Sequence, residues 1–411
     1  MKKIIILIVL VMMMSTSCNN PQSSTQTVNF EKGVFGYDLA FLSQKDNDLI
    51  VLRSSDKKAQ IIVSPKYQAK VFTSTANGLS GSSFGFVNYE VFNAGVIDEH
   101  MNGYGGENRF WLGPEGGRYS VYFAEGTEQV FDNWHTPKPI DIEPWDIVSS
   151  DSKNAALKKT MQVTNYQGSR FQLHVDRKIT LIEPAEVNHI LGLTANTALN
   201  MVAYRTDNTI TNLNDFAWTH ETGTICIWML DMFNPAPDAV TVIPFNEGDE
   251  AEMGRIVTSD YFGEVPADRL KIQGNVIYLK TDGSYRSKLG LNSKRTKAIA
   301  GNYDPDLKRL TITTFDMEEG TIYLSQEWDP AKDPLTGDAL NAYNDGPLAD
   351  GSIMGPFLEL ESVSPAAFLQ PAQSLSHWHT VYHFSGEEKD LSPIAEQLLG
   401  VSIKEIKNIF H

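Results

Sequence analysis

Apolar and polar residues alternate along most of this chain, and a period of two marks half-buried β-strands. In Phe171-Gln-Leu-His-Val-Asp176, Phe171, Leu173 and Val175 share one face, while Gln172, His174 and Asp176 share the other. The same apolar face resumes at Ile179 and Leu181. Tyr119, Val121 and Phe123 repeat the pattern, as do Leu310 with Ile312 and Ile322 with Leu324, and each is expected to form a strand. Turn dipeptides stand between these runs: Gly116-Gly117, Asp282-Gly283, Glu319-Gly320 and Asp345-Gly346. Thr224-Ile-Cys-Ile-Trp-Met-Leu230 is almost wholly apolar and reads as a central strand that buries the thiol of Cys226.

Helical spacing is confined to the C-terminus. Ser392-Pro393 places an N-cap before a proline at the first helical position, and Ile394 and Leu398 open an apolar face that stops at Gly400. Ser402-Ile-Lys-Glu405 reads as a capping box, with Ile403, Ile406 and Phe410 at helical intervals. This segment is expected to lie as a lid on the domain's edge. Helices that alternate with strands are missing, which argues against parallel βαβ units, and no fixed repeat suggests a propeller or solenoid. The expectation is all-β: one large antiparallel sandwich over residues 28–411 with a short C-terminal helical segment.

At the other end, Lys2 and Lys3 precede the apolar run Ile4 to Met14, and Ser15-Thr16-Ser17 leads into Cys18. The run is too short to span a bilayer and reads as a signal peptide over residues 1–17. The small residues before a cysteine resemble a bacterial lipoprotein signal. That implies lipidation at Cys18, a polar tether over 18–27, and an exported protein anchored to a membrane, facing the periplasm or on the outer membrane. Plain secretion stays open.

Composition narrows the partners. The chain has 411 residues, with 34 Lys+Arg against 51 Asp+Glu, a net charge of -17. Phosphate binding needs clustered cations, so nucleic acid is not expected as a partner. Two cysteines, Cys18 and Cys226, exclude a disulfide scaffold and a cysteine-based zinc site. The composition leaves any cofactor unknown.

Two late segments carry the densest chemistry. In Phe357-Leu-Glu-Leu-Glu-Ser-Val363, Leu358 and Leu360 share one face, and Glu359 and Glu361 the other. In His377-Trp-His-Thr-Val-Tyr-His-Phe384, Trp378, Tyr382 and Phe384 suit a core, while His377, His379 and His383 lie on the opposite face. A turn containing Pro365 and Pro371 makes antiparallel pairing of the two segments the expectation, with carboxylates facing imidazoles in one register. Such groups suit general acid/base work. A cupin-like metal site on His377 and His379, or a solvated polar edge, stays open.

A second constellation is Gly105-Gly-Glu-Asn-Arg-Phe-Trp-Leu-Gly-Pro-Glu-Gly-Gly117. Glu107, Arg109 and Glu115 stand among glycines and aromatics, a mixture that suits a saccharide cleft: aromatic faces cover a pyranose while Arg and Glu bond its hydroxyls. A structural Arg–Glu corner is the alternative. Trp134-His135 and Asn344-Asp345-Gly346 are weaker candidates for the same cleft, and the basic run Arg286 to Lys297 reads as a solvated loop. Candidate catalytic residues are Glu359, Glu361 and His379. Candidate ligand-binding residues are Arg109, Trp111, Glu115, His135, Asp345 and His377. No metal ligands are assigned.

Glu107 to Gly117, Asn344-Asp-Gly346 and Met354-Gly-Pro-Phe-Leu-Glu-Leu-Glu-Ser-Val-Ser-Pro365 together resemble a family of lipoproteins from Bacteroidetes-type bacteria known only as a domain of unknown function (DUF6786-like). More distantly, the layout resembles the galactose-mutarotase-like superfamily, which implies a β-supersandwich. Leu358-Glu359-Leu-Glu361, followed by Pro365 and Pro371-Ala-Gln, is similar to the late strand of aldose epimerases, which implies Glu359, or Glu361 after a two-residue shift, as the base. The epimerase histidine has no counterpart: Asn212-Leu-Asn-Asp-Phe-Ala-Trp218 carries Asp215 and Phe216 there, with His220 later, and the His-Gly-Gly motif is absent. The reading is a carbohydrate-active protein whose late-strand carboxylates serve as acid/base groups. Non-catalytic saccharide binding and a cupin-like metal enzyme are the other readings.

Overall fold

The computed structural model describes residues 29–194, 198–318, 320–348 and 351–411. The expected signal peptide, Cys18 and the tether lie outside the described residues, as does Glu319 of one expected turn. No helix among the described residues is long and apolar enough to cross a membrane.

Three antiparallel sheets form among the described residues. The largest has ten strands, in the order Leu270–Gln273, Val276–Lys280, Val240–Pro244, Ile299–Asp304, Arg309–Phe315, Ser374–Ser385, Asn200–Asn212, Arg170–Ile182, Asn154–Thr164 and Asp146–Ser150. A second has five: Ser287–Asn292, Asp338–Asn344, Leu358–Val363, Cys226–Phe233 and Arg109–Gly113. A third, Ile50–Arg53, Gln60–Ser64 and Lys70–Thr75, meets the five-stranded sheet through a bridge between Val71 and Asn108. The all-β antiparallel sandwich that alternation indicates is the fold.

The ten- and five-stranded sheets pack face to face, and the main core fills the space between them. Phe171, Leu173, Val175, Ile179 and Leu181 point there from one sheet, and Phe110, Leu112, Met229, Leu358 and Leu360 from the other. Cys226 is fully buried in its strand. Gly105 shows why this packing needs glycine: its φ is +86°, and a Cβ would stand 2.2 Å from the carbonyl oxygen of Phe86.

Two of the expected strands are irregular. Tyr119, Val121 and Phe123 are buried, but the Val121 N–H donates to the Pro114 carbonyl at 3.3 Å and the Ser120 N–H to Gly117 at 3.2 Å. Local turns thus take the bonds a ladder would use. Around Ile322 and Leu324 only Tyr323 makes a bridge, to Thr336.

The C-terminal helix runs from Glu388 to Leu399, one turn earlier than Ser392-Pro393 indicates, because the N–H groups of Asp390 and Leu391 already bond the Glu387 carbonyl. Pro393 lies inside it, and Ser392 instead accepts the Ile403 N–H at 3.2 Å, tying the two helices together. The second helix, Ile403–Asn408, opens on the expected capping box of Ser402 and Glu405. Together they cover the outer face of the ten-stranded sheet rather than its edge: Leu391, Ile394, Leu399 and Ile406 pack on Val242, Tyr303, Leu310 and Ile312.

Candidate functional site

The outer face of the five-stranded sheet forms the floor of a cleft. Register places its side chains. Glu359 pairs with Tyr343 and Met232, Glu361 with Asn341 and Leu230, Arg109 with Leu230 and Trp111 with Trp228, so these residues share one face. Lys288 joins them opposite Tyr343. Leu358, Leu360 and Ser362 point the other way, into the core, as the alternation of Leu358–Val363 requires.

Above this floor opens a cavity of about 890 Å³, walled by Glu115, Tyr261, Phe262, Arg286, Lys288 and Trp328 and covered on one side by Ile353 and Met354. An adjoining pocket shares Glu115, Phe262, Arg286, Lys288 and Trp328 with it and is lined further by Arg109, Trp111, Trp228, Tyr343, Glu359 and Glu361. Trp111 and Trp228 meet edge to face, with centroids 5.6 Å apart. The floor therefore carries both aromatic rings and charged groups.

Each floor carboxylate has a cation. The Arg109 guanidinium bonds Glu359 and lies 5.1 Å from the centroid of Trp111. Glu361 accepts the Trp228 indole N–H at 2.8 Å and faces the Lys288 ammonium at 3.3 Å. Burial raises the pKa of Glu359 well above the ordinary carboxylate range; Arg109 opposes that shift and the neighbouring Glu361 adds to it. Glu115 follows a cis Gly113–Pro114 bond, is half-buried at the cleft wall, and is also raised, by burial first. Gln326 accepts its backbone N–H.

The histidines occupy a different place. Ser374–Ser385 does not pair with Leu358–Val363: it lies in the ten-stranded sheet between Asn200–Asn212 and Arg309–Phe315. The Pro365–Pro371 segment crosses between sheets instead of turning a hairpin. His377, His379 and His383 consequently point into the core between the sheets, on the far side of the floor from Glu359 and Glu361.

There they join buried polar groups. Ser362 Oγ lies 2.8 Å from both His377 Nε2 and His379 Nδ1. His379 Nε2 is 2.6 Å from Asp231, His377 Nδ1 is 2.7 Å from Asp316, and His383 Nε2 is 3.1 Å from Glu107. Burial lowers the pKa of His377 and His383, against the pull of their carboxylates. Glu107 thus belongs to the core and not to the cleft. Among the described residues no group of three or more His, Cys, Asp or Glu side chains is placed to hold a metal ion.

The cleft accordingly brings together Arg109, Trp111, Glu115, Glu359 and Glu361, and leaves His377 and His379 behind its floor. His135 is exposed outside it, stacked on His100 with centroids 4.7 Å apart. Asp345 is buried beneath the wall, where it accepts the Tyr343 O–H at 2.8 Å. The run from Arg286 to Lys297 is not a solvated loop: Ser287–Asn292 is a strand, Lys288 and Arg295 are buried, and Arg286 and Lys288 line the cleft. Leu289 and Leu291 carry the signal, since their alternation puts Lys288 on the opposite face.

The model of the family of unknown function DUF6786 matches residues 33–410. No curated protein matches the chain. Among solved structures, a candidate aldose 1-epimerase from Escherichia coli K12 is similar at 11% identity and a TM-score of 0.48, over 82% of this chain and 98% of that one. A protein of Synechocystis sp. PCC 6803 is similar at 15% identity and a TM-score of 0.46, over 82% and 96%. A galactose mutarotase-like protein from Lactobacillus casei ATCC 334 is similar at 12% identity and a TM-score of 0.45, over 82% and 99%.

Proposed function

The chain belongs to DUF6786, a family of unknown function, and we propose that this member binds and acts on a mono- or oligosaccharide in the cleft above its five-stranded sheet. One observation carries the reading: two carboxyl groups two residues apart share an aromatic-walled floor but have different surroundings. Glu361 is held by Lys288 and the Trp228 indole. Glu359 is raised by burial and keeps its proton at higher pH than an ordinary glutamate. Two carboxyl groups in such unlike surroundings are suited to acid and base roles on one substrate. Glu359 would give a proton to, or take one from, a sugar oxygen, with the tryptophans covering the ring's C–H face.

A glycan panel followed by thermal shift, with NMR of each hit for anomeric exchange or cleavage, tests this. Glu359→Gln should keep binding and lose turnover; turnover unchanged in that variant would sink the acid/base role. Non-catalytic saccharide binding is the second reading, favoured by the Arg109 guanidinium that occupies Glu359. It expects binding by the wild-type protein with no chemical change in any ligand. From the sequence alone, the protein is also proposed to be an exported lipoprotein anchored through Cys18. Cys18→Ser should then move it from the membrane to the soluble fraction.

A further inference from the structure

Arg286 stands at the cleft wall with its guanidinium fixed on one edge and one face. Its Nε donates to the Tyr343 phenol oxygen at 3.2 Å, and that phenol donates in turn to Asp345 at 2.8 Å. The guanidinium carbon lies 3.8 Å from the centroid of the Phe262 ring. Neither Nη has a hydrogen-bond acceptor among the described residues. The other arginines that are not exposed differ. Arg109, Arg205, Arg269 and Arg309 have carboxylate partners, Arg177 has Asn108 and Asn208, and Arg53 and Arg295 have backbone carbonyls. Arg286 alone presents an oriented, uncommitted fork, and it presents it to the cavity.

We propose that the cleft selects an acidic saccharide, a hexuronate, whose carboxylate takes a bidentate contact from Arg286; this rests on the saccharide reading above. A rigid planar fork matches a planar carboxylate. Charge supports a monoanion over a phosphate. The neighbouring cations already have carboxyl partners, Lys288 at Glu361, Arg109 at Glu359 and Lys332 at Glu327, and Glu115 shares the lining, so Arg286 is the cation left to meet the ligand. The position also fits: Arg286 lines the same pocket as Glu359 and Glu361, so one ligand can meet both.

The test is titration calorimetry of the wild-type protein, Arg286→Gln and Arg286→Lys against D-galacturonate and D-glucuronate, the neutral parent hexoses and their 6-phosphates. The wild type should bind at least one uronate roughly ten- to a hundredfold more tightly than its neutral parent, the range of one charge-assisted contact. In Arg286→Gln that ratio should fall to about one. Arg286→Lys, which keeps the charge without the fork, should retain only a small part of it. A ratio unchanged in both variants overturns the assignment, as does a 6-phosphate preferred over every uronate. If neutral hexoses bind and uronates gain nothing, this inference alone falls. If no saccharide of any kind binds, the saccharide reading falls with it.

Discussion

The ammonium of Lys288 lies 3.3 Å from Oε2 of Glu361, with both side chains buried in the cleft floor. Burial works against the lysine's charge, but the carboxylates of Glu361, Glu115 and Glu359 outweigh it and raise its pKa. The Lys288 ammonium also lies 4.7 Å from the Trp228 ring centroid. The two charges persist in the floor because each neutralises the other, so either one alone is costly there. Lys288→Met should destabilise the fold by about 3–5 kcal/mol, the usual cost of an orphaned buried charge. Urea unfolding measures it. Lys288→Met combined with Glu361→Leu should recover much of the loss, and strictly additive effects would contradict the coupling.

A second carboxylate gives a pH signature. Burial pushes Asp338 up to about 6, although Tyr261 and Thr258 bond it and pull the other way. The folded state therefore holds a proton that the unfolded chain has already released between about 3.9 and 6. Stability on this account is greatest below about pH 4, falls as pH rises through that window, and levels off above 6. The span is on the order of 3 kcal/mol. Asp338→Asn should flatten that part of the stability curve, followed by unfolding at a series of pH values.

Some of this was legible in the residues and some was not. Phe171 to Leu181 alternates cleanly because only one face of that antiparallel strand is covered. Tyr119, Val121 and Phe123 alternate equally well, yet local hydrogen bonds claim their backbone, and periodicity does not report those. Glu359 and Glu361 could be placed on one face from Leu358 and Leu360 alone. Which strand lies beside them depends on where the chain goes after Pro365, and no local pattern shows that it crosses to the other sheet. His379 was therefore expected on the wrong side of the floor. Lys288 and Arg286 were hidden by charge, since a basic run usually marks solvent.

The buried serine between two imidazoles carries another prediction. A hydroxyl holds one proton, so Ser362 donates to one ring and accepts from the other. Ser362→Ala leaves His377 Nε2 and His379 Nδ1 without that partner, at a cost of about 2–4 kcal/mol by denaturant unfolding. Because the hydroxyl points away from the cleft, saccharide affinity of the folded variant should stay within about twofold of wild type. A large loss of affinity without loss of stability would show that the network reaches the site.

Glu359 should govern the pH dependence of any turnover. Acting as proton donor, it is active while protonated, and burial extends that state upward from the ordinary glutamate range. The rate should decline as pH rises through the raised value. Glu359→Gln should lower the rate roughly 10²- to 10⁴-fold and abolish that limb of the profile. A limb that survives in Glu359→Gln would assign it to another group.

Cys226 offers a probe of the whole sandwich. It is the one thiol among the described residues, fully buried in a central strand of the cleft sheet. Burial pushes its pKa up to about 12. Only the thiolate reacts with a disulfide reagent, so at pH 8 roughly one molecule in ten thousand is chemically competent, and it has no access to solvent. Labelling must then proceed through opening of the strands that cover it. The native protein should react many orders of magnitude more slowly than the urea-unfolded chain. Its rate should rise with urea along the slope of global unfolding, since the strands of Leu358–Val363 and Arg109–Gly113 flank it on both sides. Fast labelling without denaturant would mean that the sheet beneath the cleft opens locally, and that the floor carrying Glu359 and Glu361 is not the rigid platform its packing indicates.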